Sequence, residues 1–224
     1  QLPPEIDSLA SAAAASPDSS AADIYNDICW KVRNSLPEIA IQYASMAIDC
    51  AKRSGDWPQL VKGYSYIGVC QRNLGNYSEA LEYYAMGLNA AVEHEVADPE
   101  AYAHISIANI YLYHNSYAEC EDNLAQALQI GKRLADSSIL GYCYLNMGRV
   151  CLGRREYIKA DSNLMKSIEI RSKCAPLNYQ AIVARKYLAD SHAEQGDTEL
   201  ATSEYLSCLA DKYIDNDFDL ISDI

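Results

Sequence analysis

The same kinds of residue recur every 40 positions along this 224-residue chain. Small residues show the period most clearly, at Ala40, Ala80, Cys120, Ala160 and Ala201, with one inserted residue before the last. A period of roughly 20–50 residues indicates a solenoid, in which each unit buries its apolar face by stacking on its neighbours. We therefore expect one elongated array that binds a partner rather than a catalytic domain.

Each unit contains two stretches with the apolar spacing of a helix, separated by a short polar turn. In the second unit the first stretch ends at Gly75-Asn76, and Ser78 is the predicted N-cap of the next. Sustained apolar–polar alternation, typical of strands, is missing from the sequence. The prediction is an all-α α-solenoid of about five antiparallel helix pairs. Further turns within units are predicted at Asn115-Ser116, Arg154-Arg155 and Gly196-Asp197, and breaks between units at 55–58, 97–99, 135–138 and 175–178.

Residues 1–20 differ from the rest, with a Pro pair followed by an Ala/Ser run. We predict a short amphipathic helix through Ile6 and Leu9 that ends at a Pro17-Asp18 turn and serves as an N-terminal extension or cap. The repeat array is expected over 21–221, with units at 21–60, 61–100, 101–140, 141–181 and 182–221, and with 222–224 starting a C-terminal tail.

Small residues have a mechanical role, because helices approach closely only where the side chains between them are small. Gly68 is expected to face Ala80, and Gly148 to face Ala160. A second column should receive the first helix of the following unit. That column is Ala47, Gly87, Ala127, Ser167 and Cys208.

A net charge of −13 argues against nucleic acid and anionic membranes, which require clustered Lys and Arg. No apolar run approaches the roughly 20 residues that span a bilayer, so we expect no direct membrane insertion of this segment. The eight cysteines lack the spacings of a metal site and fit small core positions, which favours a reducing compartment. Gln1 points weakly the other way, because it is compatible with removal of a signal peptide.

Catalytic patterns are also missing from the sequence. The four histidines have no zinc-protease spacing, and His104 occupies the position of Tyr64 and Tyr144 in neighbouring units, which favours packing over ligation. No phosphate-binding Gly loop, nucleophile elbow or calcium-loop pattern occurs. We expect a non-catalytic segment with no metal and no cofactor.

The second unit resembles a tetratricopeptide repeat, as does the fourth, and the likeness covers about 21–221. The second unit carries Tyr64, Ile67, Gly68, Gly75, Tyr77, Ala80, Tyr84 and Gly87, and the fourth Tyr144, Met147, Gly148, Tyr157, Ala160, Leu164 and Ser167. The 40-residue unit is similar to the long-helix variants in signalling scaffolds and bacterial regulators. The resemblance implies a right-handed superhelix whose first helices line a concave groove.

The resemblance also implies which side chains line that groove, and a protein or peptide as the partner; self-association is compatible with it. Carried over by phase, the groove positions are Lys62, Ser65, Val69, Arg72, Asn73, Tyr102, Ile105, Asn109, Leu112, Tyr113, Tyr142, Leu145, Arg149, Leu152, Lys186, Asp190 and Glu194. The alternative is that Tyr102, Tyr113 and Tyr142 only pack between adjacent helices.

One subtype of the family clamps a terminal carboxylate with paired Lys, Arg and Asn. Asn109 and Asn146 match two of the clamp's Asn positions. However, Ile105, Val183 and Tyr187 stand where cations are required. An unpaired carboxylate loses its hydration without compensation, so we exclude this clamp.

The opening stretch, from Ile6 through Trp30 to Tyr43, is similar to extracytoplasmic repeat regions of bacterial sensor kinases and cyclases. This resemblance implies a sensor or interaction region of a bacterial signal-transduction protein, of the histidine kinase or cyclase type, with an extracytoplasmic location. The alternative is a cytoplasmic scaffold that assembles protein complexes.

Overall fold

Every element within the described residues, 3–173 and 179–210 of a computed structural model, is an α-helix, as predicted. Within each of these two ranges short turns join consecutive helices. The helices are α1 (Pro4–Ala14), α2 (Asp18–Val32), α3 (Pro37–Ser54), α4 (Trp57–Asn73), α5 (Tyr77–Glu93), α6 (Ala97–Tyr113), α7 (Tyr117–Leu134), α8 (Ser137–Gly153), α9 (Tyr157–Ser172), α10 (Tyr179–Glu194) and α11 (Thr198–Leu209).

The chain divides into an N-terminal unit, Gln1–Ile110, and a C-terminal unit, Tyr111–Ile224. In the N-terminal unit α2 packs on α3 and α4 on α5, while α3 and α2 also contact α4. In the C-terminal unit α8 packs between α7 and α9, and α10 packs between α9 and α11. Each unit therefore contains stacked helix pairs around its own core.

The N-terminal extension forms α1, which packs on α2. Ile6 and Ala13 are buried in the same core as the inner face of α2. An ion pair between Glu5 and Lys31, with 2.7 Å between carboxylate oxygen and Nζ, lies at the edge of this contact. The predicted helix through Ile6 and the turn before Asp18 are both observed.

Helices α3 to α8 and α10 end in the same way, with a left-handed residue after the last turn. The N–H of that residue and the N–H of the next residue donate to carbonyl groups of the last turn, as in the Schellman motif. At Gly75, for example, the bonds run from Gly75 N to Arg72 O (3.0 Å) and from Asn76 N to Gln71 O (2.9 Å). The left-handed residues recur at Gly55, Gly75, Glu95, Asn115, Ala135, Arg155 and Gly196. The four predicted turns within units are thus confirmed.

Two boundary predictions are wrong. Ser78 is not an N-cap, because α5 begins one residue earlier and follows Asn76. The break at 97–99 is misplaced, because α6 already begins at Ala97 and the chain turns at Glu95. Aspartate is the capping residue instead, as at Asp136, whose carboxylate accepts from Ile139 N at 2.9 Å. The break predicted at 175–178 lies outside the described residues.

Replacing Ala135 by glycine is expected to raise the free energy of unfolding of the C-terminal unit by about 1 kcal/mol, because its φ of 53° disfavours a residue with Cβ. Ala125 supplies the matched control, since it is exposed within the same helix, where glycine costs about 1 kcal/mol. Urea unfolding followed by circular dichroism measures both variants. Two shifts of the same sign would contradict the backbone argument.

The repeated small residues of the first helix make room for a side chain of the second helix. That side chain lies one turn beyond Ala80 or Ala160. A Cβ on Gly68 would lie 2.6 Å from Tyr84 Cδ1, and one on Gly148 would lie 2.6 Å from Leu164 Cγ. Tyr84 and Leu164 are fully buried. The glycines therefore make room for a large side chain rather than for Ala80 alone, while a Cβ at Gly148 would also approach Ala160 O at 3.4 Å.

The second small column packs differently from the prediction. A Cβ on Gly87 would approach Tyr64 Cβ at 3.4 Å, and Ser167 Oγ donates to Gly141 O at 2.8 Å. Both partners lie on the first helix of the same pair, α4 and α8 respectively. The expectation that this column receives the following unit's first helix is therefore wrong at these positions, because the small residues bring the two helices of one pair together.

Candidate binding surfaces

The side chains of α2 and α4 form the N-terminal face, which consists of Trp30, Arg33, Lys62, Tyr66 and Arg72 with their polar neighbours. Lys62 Nζ lies 3.5 Å from Asp23 Oδ1 and 3.6 Å from Asp27 Oδ1. The same ammonium lies 5.8 Å from the centroid of the Tyr66 ring. Lys62, a predicted groove residue, is therefore neutralised by the neighbouring first helix.

A stack of aromatic and cationic groups continues this face. The rings of Trp30 and Tyr66 stack with 4.8 Å between centroids. The Arg33 guanidinium lies 3.6 Å from the Trp30 ring centroid and donates to Trp30 O. Burial, largest of the effects, raises the pKa of Tyr66 to about 12. The phase argument missed Trp30, Arg33 and Tyr66. The sequence signal at Trp30 was its large aromatic side chain, which the structure leaves 41% exposed.

Asn73 links the C-terminal end of α4 to that of α2. Arg72 Nη2 donates to Asn73 Oδ1 at 3.2 Å. Asn73 Nδ2 in turn donates to Asn34 Oδ1 at 3.0 Å and to Arg33 O at 3.4 Å. Burial lowers the pKa of Arg33, and the positive charge of Arg72 contributes in the same direction. Two predicted groove residues, Arg72 and Asn73, are thus brought together with Arg33.

The remaining predicted residues of the N-terminal unit lie at different depths. Ser65 and Val69 on α4, and Tyr102 and Asn109 on α6, are half-buried. Ile105 is buried, with 4% of its surface exposed, so its side chain belongs to the core. A ligand contact at Ile105 would require the surrounding side chains to move.

The C-terminal face consists of Asn146 and Arg149 on α8 and of Lys186, Tyr187 and Asp190 on α10. Arg149 Nη1 donates to Asn146 Oδ1 at 3.0 Å, and its guanidinium lies 5.0 Å from the Tyr187 ring centroid. Lys186 Nζ also lies 5.0 Å from that centroid and 3.0 Å from Asp190 Oδ2. Three predicted residues, Arg149, Lys186 and Asp190, are therefore close to one ring.

Hydroxyl groups hold two of the acidic groove residues. Tyr205 OH donates to Asp190 Oδ1 at 2.7 Å, and Tyr157 OH donates to Glu194 Oε2 at 3.0 Å. Burial, followed by the bond to Asp190, raises the pKa of Tyr205, whereas the bond to Glu194 is the main cause of the raised pKa of Tyr157. Both carboxylates are thus positioned by contacts within the protein.

The other predicted residues of the C-terminal unit are spread between core and surface. Leu112 and Leu145 are buried, and Leu152 is half-buried. Tyr113 is 64% exposed, so packing between adjacent helices does not explain the position of its side chain. Tyr142 is half-buried, with the Arg171 guanidinium 4.2 Å from its ring centroid. Exposure therefore separates residues that the repeat phase placed in one group.

The arginines of these faces differ in their partners from Arg53 and Arg154. Arg53 pairs with Asp18 and Arg154 with Glu121, each at 2.7 Å. Among the described residues, Arg33, Arg72 and Arg149 have no carboxylate partner. Neutral amides and aromatic rings hold these three guanidinium groups, which leaves their charge available to a ligand.

None of the described helices combines the length and apolarity that crossing a membrane requires. Within 3–173 and 179–210, no three His, Cys, Asp or Glu side chains are grouped closely enough to hold a metal ion.

The sequence matches no family model, and a search of curated proteins finds no match. Solved structures match over most of the chain. NprR in complex with its cognate peptide NprX has a TM-score of 0.72 at 16% identity, over 98% of this chain and 62% of that one. BtubC from P. vanneervenii has a TM-score of 0.69 at 17% identity, over 91% of this chain and 85% of that one.

A third matching structure is described as containing tetratricopeptide repeats. A signal-transduction ATPase with a tetratricopeptide repeat sensor, from Pyrococcus horikoshii, has a TM-score of 0.69 at 16% identity, over 91% of this chain and 32% of that one. The chain has the tetratricopeptide-repeat fold. In the tetratricopeptide-repeat arrangement α4, α8 and α10 are first helices of their pairs, so the two faces described above lie on first helices. The family resemblance of the sequence is thus confirmed as a resemblance of fold.

Proposed function

We propose that this chain is a protein- or peptide-binding module that receives its partner on its first helices. The observation that carries the proposal is Arg149, a half-buried guanidinium held by Asn146 and Tyr187 without a carboxylate partner among the described residues. An arginine presents five N–H donors in a planar fork, and one bond to Asn146 leaves donors for backbone carbonyls or carboxylates of a ligand.

The geometry is suited to an extended segment of chain. Arg149 and Lys186 approach the same tyrosine ring, while Asp190 provides acceptors beside them. Such a mixture can satisfy both the donors and the acceptors of a peptide backbone. Because Asn146 and Tyr187 already restrict Arg149, less side-chain entropy is lost on binding.

We further propose that the module is the sensor or interaction region of a bacterial signal-transduction protein, of the histidine kinase or cyclase type, in an extracytoplasmic location. One structural neighbour supports peptide binding and another supports a signalling role. NprR is described with a cognate peptide, and the Pyrococcus horikoshii ATPase with a repeat sensor.

Arg149→Ala is expected to weaken the binding of peptides selected from a random dodecapeptide display library by about tenfold or more, because charge-assisted hydrogen bonds are lost. Affinities of the recovered peptides would be measured by fluorescence anisotropy. Arg133→Ala is the matched control, since Arg133 is exposed in the last turn of α7 and lies outside the face. Unchanged helicity by circular dichroism shows that the variants fold.

Three results would count against the proposal. Failure to recover any peptide that binds the folded chain would contradict a binding module. Equal affinities of the unsubstituted chain and Arg149→Ala would exclude the C-terminal face as the site. Equal losses in Arg149→Ala and Arg133→Ala would indicate a general charge effect.

The alternative is a cytoplasmic scaffold that assembles protein complexes, and one observation favours it. Cysteines occupy core positions as free thiols, for example Cys29, Cys70 and Cys143, each with 0% of its surface exposed. Such buried thiols behave as small apolar residues and persist in reducing compartments. Thiol titration of the unfolded, unreduced protein separates the two proposals, since stable disulfides would favour export and eight free thiols the cytoplasm.

A further inference from the structure

The C-terminal ends of α2 and α4 place two guanidinium groups on one patch of the N-terminal face. We call this patch, formed by Arg33, Arg72, Asn34 and Asn73, the arginine patch. Its members are linked through Asn73, which accepts from Arg72 and donates to Asn34 Oδ1 and Arg33 O. Arg33 and Arg72 are both half-buried, whereas the two asparagines are exposed.

The arginine patch is electrostatically unbalanced. The chain carries a net charge of −13, yet among the described residues neither arginine of the patch pairs with a carboxylate. The other cation of the N-terminal face, Lys62, is neutralised by Asp23 and Asp27. Burial is the main cause of the lowered pKa of Arg33, and the positive charge of Arg72 lowers it further, as expected when two like charges repel each other.

Surrounding groups restrict the two guanidinium groups. Arg33 lies against the Trp30 ring, which stacks on Tyr66. Arg72 is restrained by its bond to the side-chain oxygen of Asn73. Neither contact neutralises charge, because an indole ring and an amide are uncharged. The patch is therefore ordered before any ligand arrives, and no carboxylate among the described residues is paired with its two arginines.

We propose that the arginine patch binds carboxylate side chains in an acidic segment of a partner protein. This inference rests on the proposed function, since it names the chemistry of the segment that the first helices receive. A carboxylate between Arg33 and Arg72 accepts from both guanidinium groups, which relieves their mutual repulsion. The exposed amide of Asn34 supplies a further polar contact at the rim of the patch.

A purely structural role is the competing explanation for these arginines. Cations near helix C-termini interact favourably with the helix dipole, and Arg33 follows α2 while Arg72 lies in the last turn of α4. That role predicts a change in stability when the arginines are replaced. It predicts no change in ligand preference, so binding selectivity distinguishes the two explanations.

The test uses the full chain with two peptide probes of equal length, a hexaglutamate and a hexalysine, each carrying one fluorophore. The protein as a whole repels the acidic probe, because its net charge is −13. Binding of hexaglutamate in preference to hexalysine therefore reports a local basic site. Arg33→Gln and Arg72→Gln are each expected to weaken hexaglutamate binding about fivefold or more. Arg133→Gln, which removes the same charge from an exposed position, is expected to leave it unchanged.

A serine-rich hexapeptide with two phosphoserines distinguishes carboxylate from phosphate recognition. The proposal requires hexaglutamate to bind at least as tightly as this probe; preference for the phosphopeptide or for free phosphate would overturn it. A loss of stability in Arg33→Gln and Arg72→Gln with unchanged hexaglutamate affinity would assign these residues to helix capping alone. Hexaglutamate that fails to bind while library peptides bind would overturn this inference and leave the proposed function standing. Failure of both classes of peptide would overturn the two together.

Discussion

Gly68→Leu is expected to lower the free energy of unfolding of the N-terminal unit by about 3 kcal/mol, through overpacking. Even a single added Cβ would lie 2.6 Å from Tyr84 Cδ1 and 2.9 Å from Tyr84 Cζ. Tyr84 is fully buried, so its ring has no solvent-exposed direction in which to move. Urea unfolding followed by circular dichroism measures the loss.

A double-mutant cycle identifies the cause of that loss. Tyr84→Ala alone is expected to cost about 3–5 kcal/mol, because it opens a large cavity. The combined variant Gly68→Leu/Tyr84→Ala should be more stable than the sum of the two losses implies, by about 1 kcal/mol or more, since leucine fills space that the ring vacates. Ala85→Leu, at an exposed position of the same helix, serves as the control. Strictly additive losses would show that Gly68 and Tyr84 are not coupled.

Asn26→Ala is expected to cost about 2–3 kcal/mol in the same unit, because a buried polar contact is broken. Asn26 is fully buried, and its Nδ2 donates to Gln59 O at 3.0 Å and to Gln59 Oε1 at 2.9 Å. Gln59 Nε2 continues the network to Asp23 Oδ1 at 2.8 Å. The substitution leaves the Gln59 acceptors without this donor and loosens the contact between α2 and α4.

The control for Asn26 is Asn89→Ala, an exposed position within α5. Alanine has the higher helix propensity, so this variant should be unchanged or slightly more stable. Thermal unfolding of both variants gives the comparison. Equal midpoints would show that the buried amide adds nothing to the stability of the N-terminal unit.

The repeat phase predicted the helices and most turns because both follow from local chemistry. Glycine and asparagine at Gly75 and Asn115 signal a left-handed residue directly. Ala135 and Arg155 adopt the same conformation without that signal, since the neighbouring helices require a turn there. The prediction of Ser78 as an N-cap was wrong because residue type alone does not distinguish a serine that precedes a helix from a serine inside its first turn.

The candidate sites were predicted less completely, for a geometrical reason. A 40-residue phase gives the direction of a side chain around its helix but not the depth at which neighbouring helices leave it. Ile105 and Leu145 share the phase of groove residues and are nevertheless buried. Trp30 and Arg33 were missed because no groove position was carried over to the first unit, so phase alone did not relate them to Tyr66 and Arg72.

The left-handed residues at helix ends also bear on how such a chain could lengthen. The segment from Gly55 to Glu95 contains one complete helix pair and the turn inside it. Both ends of that segment have the same backbone conformation. Tandem duplication of the 40 residues 55–94 therefore joins a helix end to the kind of junction that already follows it, and a copying event of this length would require no new loop.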